Sequence, residues 1–237
     1  MALDLNLILL TVELLLLIPT LALLILGRRE TQGRQALLRQ MATTAKMVSR
    51  QEYFNSVQFG MQNATRSIKG SITGSSPQTP EQRDQVDGIF EQIRHANNRN
   101  VTIQYLLPKT QDRIGVASKY REAGADLRFH PGLIVSDIRY MIVDGKHTVL
   151  GLPSAAGENE PTREGYVIPS EGLAQILLQQ FEEKWAQAVT YDDYLHDVLR
   201  ETKSHNPNIS SQLLSLQLDI SESDVNRLLA TEEKVVQ

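Results

Sequence analysis

Asp137 and Arg139 stand two positions apart at the start of the stretch "DIRYMIVDG", with Asp144 near its end and Gly151 further on in a D-x6-G spacing. Side chains alternate along a strand, so positions 137 and 139 share a face that Met141 and Val143 continue. A carboxylate and a guanidinium in that relation have two uses. They form a solvent-facing ion pair worth under about 1 kcal/mol, or Arg139 grips an anion bidentately while Asp137 competes for its charge. Two imidazoles lie close enough in sequence to serve as nucleophile or base: His130, which ends a strand, and His147, just past the turn dipeptide Asp144-Gly145. Asp144 itself reads as a turn residue.

Composition removes other chemistries. The chain has no cysteine and only five scattered histidines without H-x3-H spacing, so neither a disulfide framework, a thiolate nucleophile nor a metal centre is expected. No cofactor is expected either. A net charge of -4 leaves no surplus of Lys and Arg for general phosphate neutralisation, so nucleic acid is not an expected partner.

The elements that must position these residues follow from apolar periodicity. "EYFNSVQFGMQNAT" has helical spacing, "SIKGSITGS" reads as a strand, and a helix from about residue 80 to 95 carries Val86, Ile89, Phe90 and Ile93 on one stripe. The strand "VTIQYLLP", a helix closed by Gly124 and the strand "DLRFH" complete a βαβαβ succession, which predicts a layered α/β domain. A hairpin follows: "DIRYMIV", the Asp144-Gly145 turn and "HTVLGL". Residues 156–164 are a polar loop, "EGYVIP" is a further strand, and the helix beginning at Ser170 should bury Leu173, Ile176, Leu177, Phe181 and Trp185.

The N-terminus differs in kind. Residues 5–27 are almost wholly apolar and, at about 1.5 Å per residue, long enough to cross a hydrocarbon core of roughly 30 Å. Asp4 precedes the run and "LGRRE" follows it, which predicts an uncleaved transmembrane anchor. Arg28, Arg29, Arg34, Arg39, Lys46 and Arg50 lie beyond it, so the bulk of this single-pass protein should be cytoplasmic. Residues 28–50 form a helical linker, read either as a short coiled-coil seam through Leu38, Met41, Ala45 and Val48 or as an amphipathic helix on the membrane or the next domain. At the other end, residues 190–237 form a helical segment. There "QLLSLQLDISESDVNRLLA" has the spacing of a helix-turn-helix, with Asp219 where a left-handed residue is required. Glu222 and Asp224 on its second helix would repel phosphate.

Residues 51–189 resemble one repeat of the phospholipase D superfamily. The likeness runs through "YFNSVQFGMQNATRSI", "VTIQYLLP", "YREAGADLRFHPGL", the hairpin and the closing helix with Phe181-x3-Trp185. The resemblance implies a layered sheet flanked by helices and a phosphodiesterase chemistry built on the signature H-x-K-x4-D-x6-G. In that chemistry a histidine attacks phosphorus, a second histidine from another repeat protonates the leaving oxygen, and lysines hold the phosphoryl oxygens. Here Asp137 replaces the histidine and Arg139 the lysine, "GLPS" stands where Ser and Asn commonly follow the glycine, and only D-x6-G is intact.

The expectation is therefore a membrane-anchored phospholipase D-like protein with a degenerate site. It would be a non-catalytic binding or regulatory module with Arg139 as the anion-binding residue. One alternative is a membrane-bound phosphodiesterase or phospholipase acting as a homodimer, with His130 or His147 as a relocated nucleophile. Another is a membrane-tethered regulator using the C-terminal helix-turn-helix-like segment. Partners expected from this reading are the membrane, a second copy of the chain, a phosphate-containing ligand and a protein.

Overall fold

The computed structural model describes residues 46–74, 77, 79–133, 138–153 and 162–235. The expected anchor at 5–27, most of the linker, Asp137 and much of the polar loop lie outside the described residues. Among those described, no helix is long and apolar enough to cross a membrane. The compact unit described here begins at Ala45 and runs to the C-terminus.

One eight-stranded sheet organises the unit. In chain order its strands are β1 (Lys46–Ser49), β2 (Ser67–Ser71), β3 (Thr102–Pro108), β4 (Asp126–His130), β5 (Arg139–Val143), β6 (His147–Pro153), β7 (Thr162–Ile168) and β8 (Val189–Thr190). Their spatial order is β1-β7-β6-β5-β2-β3-β4-β8. The β2-β3-β4 core is parallel, as the βαβαβ succession requires, and the flanking pairs are antiparallel. Strand β1 corrects part of the linker reading. Val48 is paired with Gly165 on β7 and only 3% exposed, so it is a sheet residue and not the end of a helical seam. Met47 and Val48 alternate out and in, a period of two that also fits a single residue of a heptad when read over so short a run.

Helices cover both faces. On one lie α1 (Arg50–Asn63), α2 (Pro80–Asn98), α3 (Ile114–Glu122), α5 (Tyr191–His205), α6 (Ser211–Leu218) and α7 (Glu222–Val235). Their core includes Val57, Ile93, Tyr105, Phe129, Leu195 and Val225. The other face is packed by α4 (Glu171–Gln187), through Ala174, Phe181 and Trp185 against Leu106, Tyr140 and Ile142. Ile176, expected inside, is 44% exposed, because the buried stripe of α4 runs through the small Ala174 and turns Ile176 away from the sheet. Strand β7 also starts at Thr162, inside the stretch read as loop, opposite Pro153 on β6.

Local chemistry sets the boundaries that matter for the site. Helix α1 opens with a capping box: Glu52 Oε2 accepts from the Ser49 N–H at 3.0 Å, and Ser49 Oγ accepts from the Glu52 N–H at 3.4 Å. This fixes Arg50 and Tyr53 one turn apart at the head of the helix. The β5–β6 turn has positive φ at both Asp144 (53°) and Gly145 (70°), the conformation that the Asp-Gly dipeptide favours.

Candidate functional site

Arg139 opens β5 opposite Gly151 on β6, which lies opposite Gly165 on β7, which lies opposite Val48 on β1. Paired residues share a face, so this row presents an arginine, two bare backbones and a valine toward α1. The absent side chains let the helix come close. A Cβ built on Gly165 would sit 2.6 Å from Cδ2 of Tyr53 and 3.0 Å from the Leu150 carbonyl. Gly165 therefore makes room in the same row as Arg139 and Gly151, and Tyr53 fills part of it.

Arg139 is half-buried, not solvent-facing as the ion-pair reading supposed. Burial lowers its guanidinium from the ordinary arginine value, the Tyr53 phenol offsets this, and the nearby positive charges of Arg113 and Arg50 add to the lowering. Arginine nevertheless stays charged at any physiological pH. Burial, partly offset by Arg139, pushes the Tyr53 phenol up to about 12, so it is a neutral hydrogen-bonding group near neutrality and not a nucleophile. Arg113 is 3% exposed and pairs with Asp112 at 3.2 Å. Three guanidinium groups thus converge at the edge where the parallel strands end. They were not legible in the sequence, since Arg50, Arg113 and Arg139 are scattered along the chain.

Behind Arg139 lies a cavity of about 160 Å³ between α1, α2 and the sheet, walled by side chains such as Phe54, Val57, Val86 and Ile89 and reached by Arg50, Tyr53 and Tyr105. Its described lining contains no carboxylate and no imidazole. Guanidinium groups beside a largely apolar interior are chemistry suited to holding a negatively charged group.

The remaining residues singled out by sequence are not brought to Arg139 within one chain. His130 belongs to the row of Pro108, on the face opposite Phe129, and is separated from β5 by β2 and β3, three strand spacings or about 14 Å. It is 9% exposed, and its Nδ1 accepts from the Gly132 N–H at 3.0 Å. His147 pairs with Val143 at the opposite end of the hairpin, four residues or about 13 Å along the strand from the Arg139–Gly151 pair. Asp137 lies outside the described residues, so its pairing with Arg139 does too.

Asp144 has an architectural task. Its Oδ1 accepts from the Arg66 N–H at 2.8 Å and the Ser67 N–H at 3.0 Å, and its Oδ2 from the Thr65 N–H at 3.0 Å and the Thr65 hydroxyl at 2.8 Å. Partial burial raises its carboxyl, but the hydrogen bonds from Ser67, Arg66 and Thr65 outweigh this and leave it at about 2. The acid of the D-x6-G spacing ties the hairpin turn to the start of β2, at the end of the sheet away from Arg139. Among the described residues there is also no group of three side chains able to hold a metal ion.

No known family profile matches the sequence, and no curated protein does. Solved structures do resemble it. Nuc from Salmonella typhimurium, a phospholipase D family member, is 16% identical over 62% of this chain and 97% of its own, with a TM-score of 0.48. NucT from Helicobacter pylori is 17% identical over 62% of this chain and 98% of its own, with a TM-score of 0.46. TrmBL2, an archaeal chromatin protein, is 19% identical over 69% of this chain and 63% of its own, with a TM-score of 0.44. The mixed α/β architecture, a sheet flanked by helices, is the fold class expected from the sequence.

Proposed function

We propose that this chain is a membrane-anchored, phospholipase D-like protein whose altered signature makes it an anion-binding or regulatory module and not a phosphodiesterase. The observation that supports this best is the half-buried Arg139 beside Tyr53, in the position of the signature lysine, with both candidate histidines held by register on another face or at the other end of the hairpin. Arginine keeps the phosphate grip that the signature lysine would supply. The attacking imidazole has no counterpart, because Asp137 is a carboxylate that repels a phosphodiester and does not alternate between base and acid at neutral pH as imidazole does. The segment 5–27 supplies the anchor, and the basic residues after it keep the domain on the cytoplasmic side.

The test is an activity and binding comparison on the detergent-purified full chain. Bis-aryl phosphodiester and phosphatidylcholine should be hydrolysed no faster than in buffer. Inorganic phosphate should bind weakly and lose its affinity in Arg139→Gln, whereas Asp137→Asn should strengthen binding by removing a competing charge. Turnover abolished by His130→Ala or His147→Ala would establish instead the homodimeric phosphodiesterase with a relocated nucleophile.

A further inference from the structure

The cavity behind Arg139 carries two features that an empty packing defect does not need. The Tyr105 hydroxyl is 1% exposed as a residue, lines the cavity, and makes no hydrogen bond among the described residues. A buried hydroxyl without a partner costs about 1–3 kcal/mol, so something in the cavity is needed to satisfy it. Arg50 lines the same space with a buried Nε that likewise makes no hydrogen bond among the described residues. Most of the remaining wall is apolar, through Phe54, Val57, Val86, Ile89 and Val116, with Gln82 and Gln85 also on the lining.

Size narrows the occupant. A volume of about 160 Å³ is close to that of an engineered apolar cavity of roughly 150 Å³ that takes up benzene. We infer that the cavity binds a small aryl acid: a benzene-sized ring among the apolar walls, an anionic group against Arg50 and Arg139, and a polar substituent of the ring against the Tyr105 hydroxyl. The anion is a carboxylate or a phosphate monoester, since both offer the oxygens that a guanidinium grips. This deepens the anion-binding reading and rests on it. The ring is what it adds: a bare phosphate leaves the apolar part of the cavity unfilled.

Calorimetric titration of the full chain in detergent, in a phosphate-free buffer, tests it with five probes: inorganic phosphate, phenyl phosphate, benzoate, 4-hydroxybenzoate and benzyl alcohol. At least one aryl anion should bind about tenfold or more tightly than inorganic phosphate, because ring burial adds favourable transfer free energy. Benzyl alcohol, lacking the charge, should bind more weakly than either acid. Whether phenyl phosphate or benzoate ranks first identifies the anion. Val86 is half-buried, so Val86→Phe fills the cavity from its margin; it should erase the aryl advantage and leave inorganic phosphate within about twofold. Tyr105→Phe should weaken 4-hydroxybenzoate by about fivefold and leave benzoate unchanged, the loss expected for one hydrogen bond. Affinities for phenyl phosphate, benzoate and 4-hydroxybenzoate that all fall no tighter than that for inorganic phosphate, or an aryl advantage that survives Val86→Phe, overturn the cavity assignment while leaving Arg139 as an anion site. Inorganic phosphate binding that is absent, or indifferent to Arg139→Gln, overturns the anion-binding reading itself.

Discussion

Asp144 and Arg139 stand at opposite ends of one hairpin strand and its turn, in different surroundings. Asp144 accepts three backbone N–H bonds and a hydroxyl bond, so Asp144→Ala strands donors at Thr65, Arg66 and Ser67 and should destabilise the domain by about 2–4 kcal/mol at neutral pH. The loss should depend on pH. The carboxyl moves from an ordinary 3.8 to about 2 on folding, so its contribution is complete above about pH 4 and disappears as the pH falls toward 2. Urea denaturation of the two proteins should therefore show a gap that closes on acidification, and a gap independent of pH would contradict the assigned hydrogen bonds. Arg139 behaves differently: the site around it is shaped by Tyr53 and two bare glycines, so a change there should alter binding more than folding.

At the scale of elements, the fit of α1 onto β6 and β7 decides the shape of the site. Gly165→Ala places a methyl 2.6 Å from the Tyr53 ring and 3.0 Å from a backbone oxygen that has little room to move. The substitution should cost about 1–3 kcal/mol in thermal or urea unfolding and, by displacing Tyr53, should also reduce anion affinity. The start of the same helix depends on Ser49. Ser49→Ala removes one half of the capping box and should lower stability by about 1 kcal/mol, read from the urea midpoint, with the domain still cooperatively folded. A larger loss would mean that Ser49 does more than cap the helix.

The whole unit includes its C-terminal helices. Leu195, Leu199 and Val225 are fully buried and Leu214 nearly so, in the same core as the sheet residues Tyr105 and Phe129. The α6–α7 turn is left-handed at Asp219, as the sequence requires, and it packs on α3 at Gly115, where a Cβ would lie 2.7 Å from that of Asp219. Asp192, Asp224, Arg121 and Arg227 join α3, α5 and α7 in one ion-pair network, which includes Arg227–Asp192 at 2.9 Å. A chain ending at Ala188 should therefore lose cooperative unfolding and bind a hydrophobic dye, since it strips one side of the core. A truncated chain with an unchanged melting transition would show the helices to be an appendage.

Much of the framework is present in local patterns. The 3.6 and 2.0 periodicities mark α2, β3, β4 and the hairpin, and Asp-Gly, Gly124 and Asp219 mark the points where φ must be positive. Those signals are local because propensity and turn chemistry act within a few residues. Asp137 and Arg139, where the phospholipase D-like resemblance leads one to expect a histidine and a lysine, are equally visible in the sequence. Only the tertiary structure makes β1 a strand, because four residues acquire strand character by pairing with β7. Register, which no local pattern encodes, also turns His130 to the opposite face and places His147 at the far end. The arginines at 50 and 139 and the tyrosines at 53 and 105 come from three separate elements. Their meeting around one cavity follows from how helices pack on a sheet, where a bare glycine decides how closely a helix approaches.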